Sequence, residues 1–452
     1  MGQSIVILAS PLLTRLYSPE DFGLLAVYAG LLGILATVAS LRYQLAIPLP
    51  ESDEEAAHVV VLGLVVVLGI TALSTLIVGF FGGPLAEALN TPSLAPYLWL
   101  LPVGLLLTGI YQVLQYWAIR TKAFSALART KVTQAIGMVT VQLGAYTVGP
   151  LALLLGQIAG QAAGSTSIGS LAVQRHWSVF RAVRLRGIGK AANRYRRFPI
   201  YSSWTGAFNA AGSQLPPVLL AALFNPAAAG IYVLAHRVLA MPMKLLGRAI
   251  ADVFYASATD ARRNDQLAPL VAGIHEKLAH IAMPPALILV LAGPQLFALV
   301  FGEGWRQAGE FAQWMAPWIY MVFITAPLST LFSLLEKQAQ GMLFQGALLS
   351  TRIVTLLIGA YYNDVMLAVA LFASGSAVCW VGFLIWIIRA SGSPWLALWK
   401  PTAQAFGWSI LLIAPLITVH LMIEQLALWL AALTVTGALV SARYITLIRK
   451  AL

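Results

Sequence analysis

Residues 215–255 read LPPVLLAALFNPAAAGIYVLAHRVLAMPMKLLGRAIADVFY. Two apolar runs meet at an Asn225-Pro226 turn, and at about 1.5 Å per residue each is long enough to cross a membrane as a helix. The second run carries Arg237, Lys244 and Arg248 at i, i+7 and i+11. At about 100° per residue, that spacing puts them within roughly 40° of one another on the helix. In so apolar a segment, a face bearing three cations is expected to meet water or an anion. The expectation is a cation-lined pocket inside a multi-helix membrane protein.

The rest of the chain agrees. Apolar residues make up 60% and charged residues 10%, where a soluble domain has about 25% charged. Mean hydropathy is +0.82. No soluble core hides that much apolar surface, so the solvent is lipid. A single cysteine, Cys379, excludes an internal disulfide and any multi-cysteine metal site. The net charge of +12 would fit nucleic acid, but in a membrane chain the position of the charges decides, and no nucleic-acid partner is expected.

Apolar segments recur at about 2–13, 22–41, 57–81, 94–118, 132–148, 150–173, 199–224, 229–255, 279–301, 310–334, 342–362, 366–388, 404–423 and 427–447. The first is too short to cross a core about 30 Å thick and reads as a helix whose start lies before Met1. No basic region and cleavage site mark it as a signal peptide. The fold class is therefore an all-α polytopic membrane protein of 12 to 14 spans. Two six-helix lobes around a central cavity, residues 1–174 and 199–390, flank a basic linker, 175–198. Two further helices occupy 391–452.

With the N-terminus inside, 22 of the 28 Lys and Arg fall in inside loops and two, Arg15 and Arg306, fall outside. The positive-inside rule then places both termini in the cytoplasm. Residues 175–198, RHWSVFRAVRLRGIGKAANRYRRF, are the richest inside segment. They read as a topology anchor on anionic lipid head groups, or as a helix joining two moving halves.

Two halves are also implied by an internal repeat. LYSPEDFGLLAVY at 16–28 aligns with LFNPAAAGIYVLA at 223–235, matching Ser18 to Asn225, Pro19 to Pro226 and Gly23 to Gly230. Both copies sit at the outside turn of a six-helix block. An even number of spans per block makes the repeat parallel, related by an axis along the membrane normal.

Arg237 lies about 10 Å below the outer surface, a depth that is costly for arginine unless it faces water or an anion. The alternative is a structural arginine capping carbonyls near Pro242. Lys244 and Arg248 lie nearer the inner surface, where snorkelling also explains them, and Asp252 can pair with Arg248. Arg42 fits either snorkelling or the same cavity. Arg15 stands beside Glu20 and Asp21, where a surface ion pair is the simpler reading. Arg352 has no partner in the sequence around it. Pro216, Pro217 and Pro242 interrupt helices and are either hinges or static kinks. Only Asp252 among the carboxylates approaches a helix interior, which disfavours an exporter of cations. Arginine's planar fork suits phosphate instead. No catalytic constellation, metal spacing or phosphate loop is present, so neither an enzyme nor a cofactor is expected. A membrane polymerase or ligase would also need a large external loop.

The stretches ASPLLTRLYSPEDFGLL, LRYQLAIPLP with ESDEEA after it, FPIYSS, FNPAAAGIYVLAHRVLAMPM, FGEGWRQAGE and APLSTLFSLLEKQ resemble the polysaccharide-biosynthesis flippases. These are O-antigen and exopolysaccharide translocases of the MATE-like MOP superfamily, and the resemblance runs from about residue 9 to 390. It implies a two-lobed carrier of undecaprenyl-diphosphate-linked oligosaccharide in the bacterial inner membrane. A polymerase and other glycan-assembly proteins are its implied partners, beside membrane lipids. By motif, the arginines that hold the diphosphate in such flippases correspond to Arg15, Arg42 and Arg237. One departure is Gln44, where the family usually carries an acidic residue. Resetting by the membrane potential and by exchange of a coupling ion, H+ or Na+, both fit. The competing reading is a multidrug or cation antiporter of the same superfamily.

Overall fold

The structure is a computed structural model that describes residues 2–422 and 425–451. Contacts divide the chain into two compact units, Met1–Val233 and Leu234–Leu452. Among the described residues every regular element is helical. Nine helices among the described residues are long and apolar enough to cross a membrane.

The first unit holds α1 (Gly2–Leu16), α2 (Pro19–Val38), α3 (Asp53–Ala88), α4 (Leu100–Arg120), α5 (Phe124–Gly144) and α6 (Pro150–Arg181). Then come α7 (Leu185–Arg194), α8 (Ser203–Leu223) and most of α9 (Pro226–Leu239). Their starts are written in the sequence. Ser18 caps α2 in a capping box with Asp21 and a proline in the first turn. Ser52 caps α3 by accepting from the Glu55 amide at 3.2 Å, and Asp53, Glu54 and Glu55 place negative charge at the positive end of the helix dipole. The basic segment is not a loop. It comprises the end of α6, which kinks at His176, and the short amphipathic α7. Helix α7 is tied to the start of α3 by Arg194–Glu55 at 3.3 Å and by His58 Nε2, which accepts from the Arg184 amide at 3.2 Å.

The second unit holds α10 (Met241–Arg263), α11 (Leu267–Phe301), α12 (Arg306–Thr325), the single turn α13 (Leu331–Leu334), α14 (Gln338–Tyr361), α15 (Val365–Ser391), α16 (Trp395–Met422) and α17 (Leu426–Ala451). Helix α11 ends at Gly302, whose φ of 102° only glycine adopts at little cost. Asp364 caps α15 by accepting from the Leu367 amide at 3.0 Å.

Each apolar segment of the sequence coincides with helix. Several are divided: 229–255 is α9 and α10 with a break at Ala240, 310–334 is α12, a 3-10 turn and α13, and 94–118, 132–148 and 199–224 each take in a short 3-10 or π turn beside the main helix. The break at Ala240 comes one residue before α10 opens with proline in its first turn, where a missing N–H costs nothing. Helix α8, by contrast, stays helical through the buried Pro216 and Pro217. The described departures from helical geometry within helices fall at His176 in α6 and Ala292 in α11.

In lipid, burying apolar surface does not drive helices together, so close packing of small residues must. Gly156, Gly160 and Gly164 form a ladder on α6 against Gln142, Met138 and Gln134 of α5. Gly30 and Gly33 of α2 face Val218 and Gln214 of α8. That contact places α8 in the first unit, so the packed units divide at a different place from the segments read along the sequence. Leu68, Leu73, Leu76, Ile77, Phe80 and Phe81 project unburied from α3, a patch that belongs in lipid.

Candidate functional site

The repeated motif is a packing element. Ser18 and Asn225 both cap helices that begin with proline, and the Asn225 side chain accepts from the Ala228 amide at 2.8 Å. The first turns of α2 and α9 then cross on their glycines. A methyl at Gly23 would overlap the Pro226 carbonyl, and one at Gly230 would overlap the Pro19 carbonyl.

At the other end of α2, Leu41 and Arg42 are both left-handed, with φ of 46° and 63°. Non-glycine residues there cost of order 1–3 kcal/mol each, and such strain concentrates at functional sites. The turn lays the Arg42 guanidinium against α8, where a methyl on Gly206 would overlap it. Its Nε is buried without a hydrogen-bond partner. Gln44, in the position where an acid was the family expectation, is buried and accepts from the Ser40 hydroxyl, so no carboxylate neutralises Arg42 from there. The Tyr43 hydroxyl donates to the Ala192 carbonyl at 3.4 Å, anchoring the turn to α7. A π-helical turn, Phe198–Ser202, leads into α8 and touches the same region. Such turns recur at functional sites.

Arg237 lies in the last turn of α9, partly buried, and its side chain has no hydrogen bond or ion pair among the described residues. Its neighbour His236 stacks on Trp318 of α12, ring centroids 5.9 Å apart. Arg352 of α14 reaches the same indole, 5.2 Å from its centroid, and Phe372 of α15 at 5.5 Å. Its Nε also donates to the Ser376 hydroxyl at 3.4 Å. Arg352 therefore has the partners that its neighbours in sequence lack, and they bring it within one aromatic ring of the helix carrying Arg237. Trp318, Phe372 and Ser376 did not stand out in the sequence. The only hint was a tryptophan, an arginine and a serine in three otherwise apolar segments.

Arg15 is exposed in the last turn of α1, which packs on α5. The surface ion pair expected for it does not form among the described residues. Asp21 is engaged by the Ser18 amide and hydroxyl instead, each at 2.9 Å. The side chains of Pro242, Lys244, Arg248 and Asp252 lie outside the described residues, and the break at Ala240 sets Arg237 on α9 and Lys244 and Arg248 on α10, so the shared face rests on sequence spacing along a helix that is not continuous. Among the described residues no group of three or more His, Cys, Asp or Glu is placed to hold a metal.

A second cationic feature belongs to the first unit. A cavity of about 550 Å³ opens where α4 turns into α5 and α6 kinks, lined by Lys122, Arg129 and Arg175 together with Ser167, Ser170 and Trp117.

Comparison with known proteins follows the fold closely. Residues 12–310 match the family described as polysaccharide biosynthesis protein. The succinoglycan biosynthesis transport protein ExoT of Rhizobium meliloti (strain 1021) is 24% identical over 406 residues, 85% of this chain and 77% of that protein. Among solved structures, the lipid II flippase MurJ in an inward closed conformation superposes with a TM-score of 0.73 over 99% of both chains, at 12% identity. An inward-facing multidrug-resistance MATE family transporter of the MOP superfamily gives 0.65, at 13% identity, over 86% of this chain and 95% of that one. At these identities the likeness to the solved structures is one of fold. The all-α, multi-pass membrane architecture expected from the sequence is the one observed.

Proposed function

The chain belongs to the polysaccharide biosynthesis protein family, and from that premise we propose that it flips undecaprenyl-diphosphate-linked oligosaccharide from the inner to the outer leaflet of the bacterial inner membrane. The movement is alternating access by two six-helix lobes about a cavity, with both termini in the cytoplasm. The diphosphate binds the arginines, the glycan crosses in hydrated space, and the prenyl tail stays in lipid.

The observation that supports this reading is the state of Arg42 and Arg237. Both belong to membrane helices or their ends, and neither has an acidic partner among the described residues. Arg42 adds a strained backbone and a buried, unpaired Nε. An arginine left so in lipid is costly unless an anion or water completes it. A planar fork of donors matches a diphosphate oxygen pair. Arg15, Lys244 and Arg248 join the proposed set as cations along the path. For Arg352, the contacts with Trp318 and Phe372 favour a role in positioning α9. Pro216, Pro217 and Pro242 are proposed as places where the lobes bend. An inside-negative potential resets the empty cationic carrier at about 2.3 kcal/mol per charge per 100 mV.

The test is flipping of an undecaprenyl-diphosphate oligosaccharide by the purified protein in liposomes, wild type against Arg237→Ala. Activity in the wild type that vanishes in the variant, with protein level and insertion unchanged, is the expected result. Undiminished flipping in the variant removes Arg237 from the site. A wild type that neither binds nor moves diphosphate lipids overturns the assignment. The likeness of fold to a MATE transporter favours one second reading, export of cationic drugs. A deletion strain with changed drug resistance and intact glycan export would establish it.

A further inference from the structure

The cavity between α4, α5 and α6 is lined by neither Arg42, Arg237 nor any residue of the repeat. Three of its lining side chains are cations, Lys122, Arg129 and Arg175, and its lining includes no Asp or Glu. None of the three side chains has a hydrogen bond or ion pair among the described residues. Arg120 next to them shows what a structural cation here looks like. It bonds Asp53 at 2.9 Å and the carbonyls of Ile47, Pro50 and Glu51 at 3.3, 2.7 and 3.3 Å. Lys122, two residues on, is held at a φ of 54° by the tight turn after α4 and lines the cavity instead.

Hydroxyl groups complete the wall. Ser167 and Ser170 line it from α6, and Thr130 Oγ1 sits 3.4 Å from Ser167 Oγ beneath. Trp117 is 1% exposed, lines the cavity, and its indole N–H has no acceptor among the described residues. The ring itself is fixed by His176 and Phe180, with centroids 5.4 and 4.9 Å away. His176 is the residue at which α6 leaves helical geometry, so the kink that opens the cavity and the ring that floors it are coupled. Three cations without ion pairs, hydroxyls and a spare N–H donor form a lining free of carboxylates and suited to a phosphate.

The rim tells where that phosphate comes from. Phe124, Val173 and Trp177 flank the lining residues and are 60%, 49% and 58% exposed. Exposed apolar and amphipathic rings beside cations are the pattern of the membrane interface, with acyl chains beside the head group. A free anion would have no use for them. By the distribution of Lys and Arg, these helix ends face the cytoplasm. We propose that this cavity binds the phosphate of an anionic phospholipid of the inner leaflet, such as phosphatidylglycerol, with Arg129 and Arg175 as its main ligands. None of the proposed transport arginines lines it.

Lipid bound to the purified full chain, read by native mass spectrometry in a neutral detergent, tests this. Phosphatidylglycerol is titrated against wild type, Arg129→Gln/Arg175→Gln, and Arg186→Gln/Lys190→Gln, the last removing two charges from α7 outside the cavity. The expected result is about thirtyfold weaker binding in the first variant and less than about threefold in the second. Equal losses in both variants would reduce the effect to general surface attraction and overturn the site. Phosphatidylcholine binding as tightly as phosphatidylglycerol would overturn the charge assignment. Displacement of the lipid by millimolar inorganic phosphate would make it a site for a soluble anion and overturn the lipid assignment. The readout is independent of flipping, so it stands or falls apart from the transport reading. Trp117→Phe keeps the ring packing and removes the N–H, and is expected to weaken binding about fivefold to tenfold.

Discussion

Arg42 differs from a snorkelling arginine in the backbone beneath it. Two consecutive left-handed residues turn the chain so that the guanidinium meets α8, and the flat surface of Gly206 leaves room for it. Arg42→Lys keeps the charge but loses the planar fork, and is expected to lower flipping in liposomes at least about tenfold. Gly206→Ala, which places a methyl where the guanidinium lies, should reproduce much of that loss with Arg42 intact. Normal flipping in Gly206→Ala would detach the arginine's position from its function. Arg352 is a contrasting case, since it lies against two aromatic rings, Trp318 and Phe372. Arg352→Met is expected to destabilise the protein by about 1–2 kcal/mol, read as a lower unfolding temperature in detergent. A stability unchanged by that substitution would leave only a role in binding. The sequence showed which arginines lie in apolar surroundings, because hydropathy is local. It did not show that Arg352 has company, because Trp318 and Ser376 reach it only through the packing of α12, α14 and α15.

Helices were the most legible level, since a span in lipid must satisfy its own backbone and announces itself by apolar length. Their interruptions were less so. The divide between α9 and α10 lies at Ala240, two residues before the proline that marked it, and the Pro216-Pro217 pair that looked like a break is helical. Proline in a first turn starts a helix as readily as proline in the interior bends one, and sequence alone does not separate the two. The repeat, by contrast, gained a physical cause. Its paired glycines are needed because backbone meets backbone where α2 crosses α9. Gly23→Leu and Gly230→Leu are each expected to cost at least about 1–3 kcal/mol, measured as loss of folded protein in detergent. Since both disrupt the same crossing, the double variant should cost less than the sum of the singles. Additive losses would mean the two glycines serve separate contacts.

For the whole molecule, the charge distribution sets orientation and the single cysteine makes it measurable. In a Cys379→Ser background, Ser93→Cys lies in the turn before α4 and Lys190→Cys in α7, both exposed. A membrane-impermeant maleimide applied from outside should label the first and spare the second until the membrane is opened. The reverse pattern would invert the topology and move the cationic cavity to the outer leaflet. The crossing of the two repeat copies has a further consequence. Gly23 meets Pro226 while Gly230 meets Pro19, so each surface touches the counterpart of itself, which is the signature of an isologous interface. A shorter chain carrying one copy of the motif would possess everything needed to pair with its twin at that point. The crossing thus preserves, inside one polypeptide, the geometry of a homodimer, and marks where gene duplication and fusion would have replaced assembly from two chains.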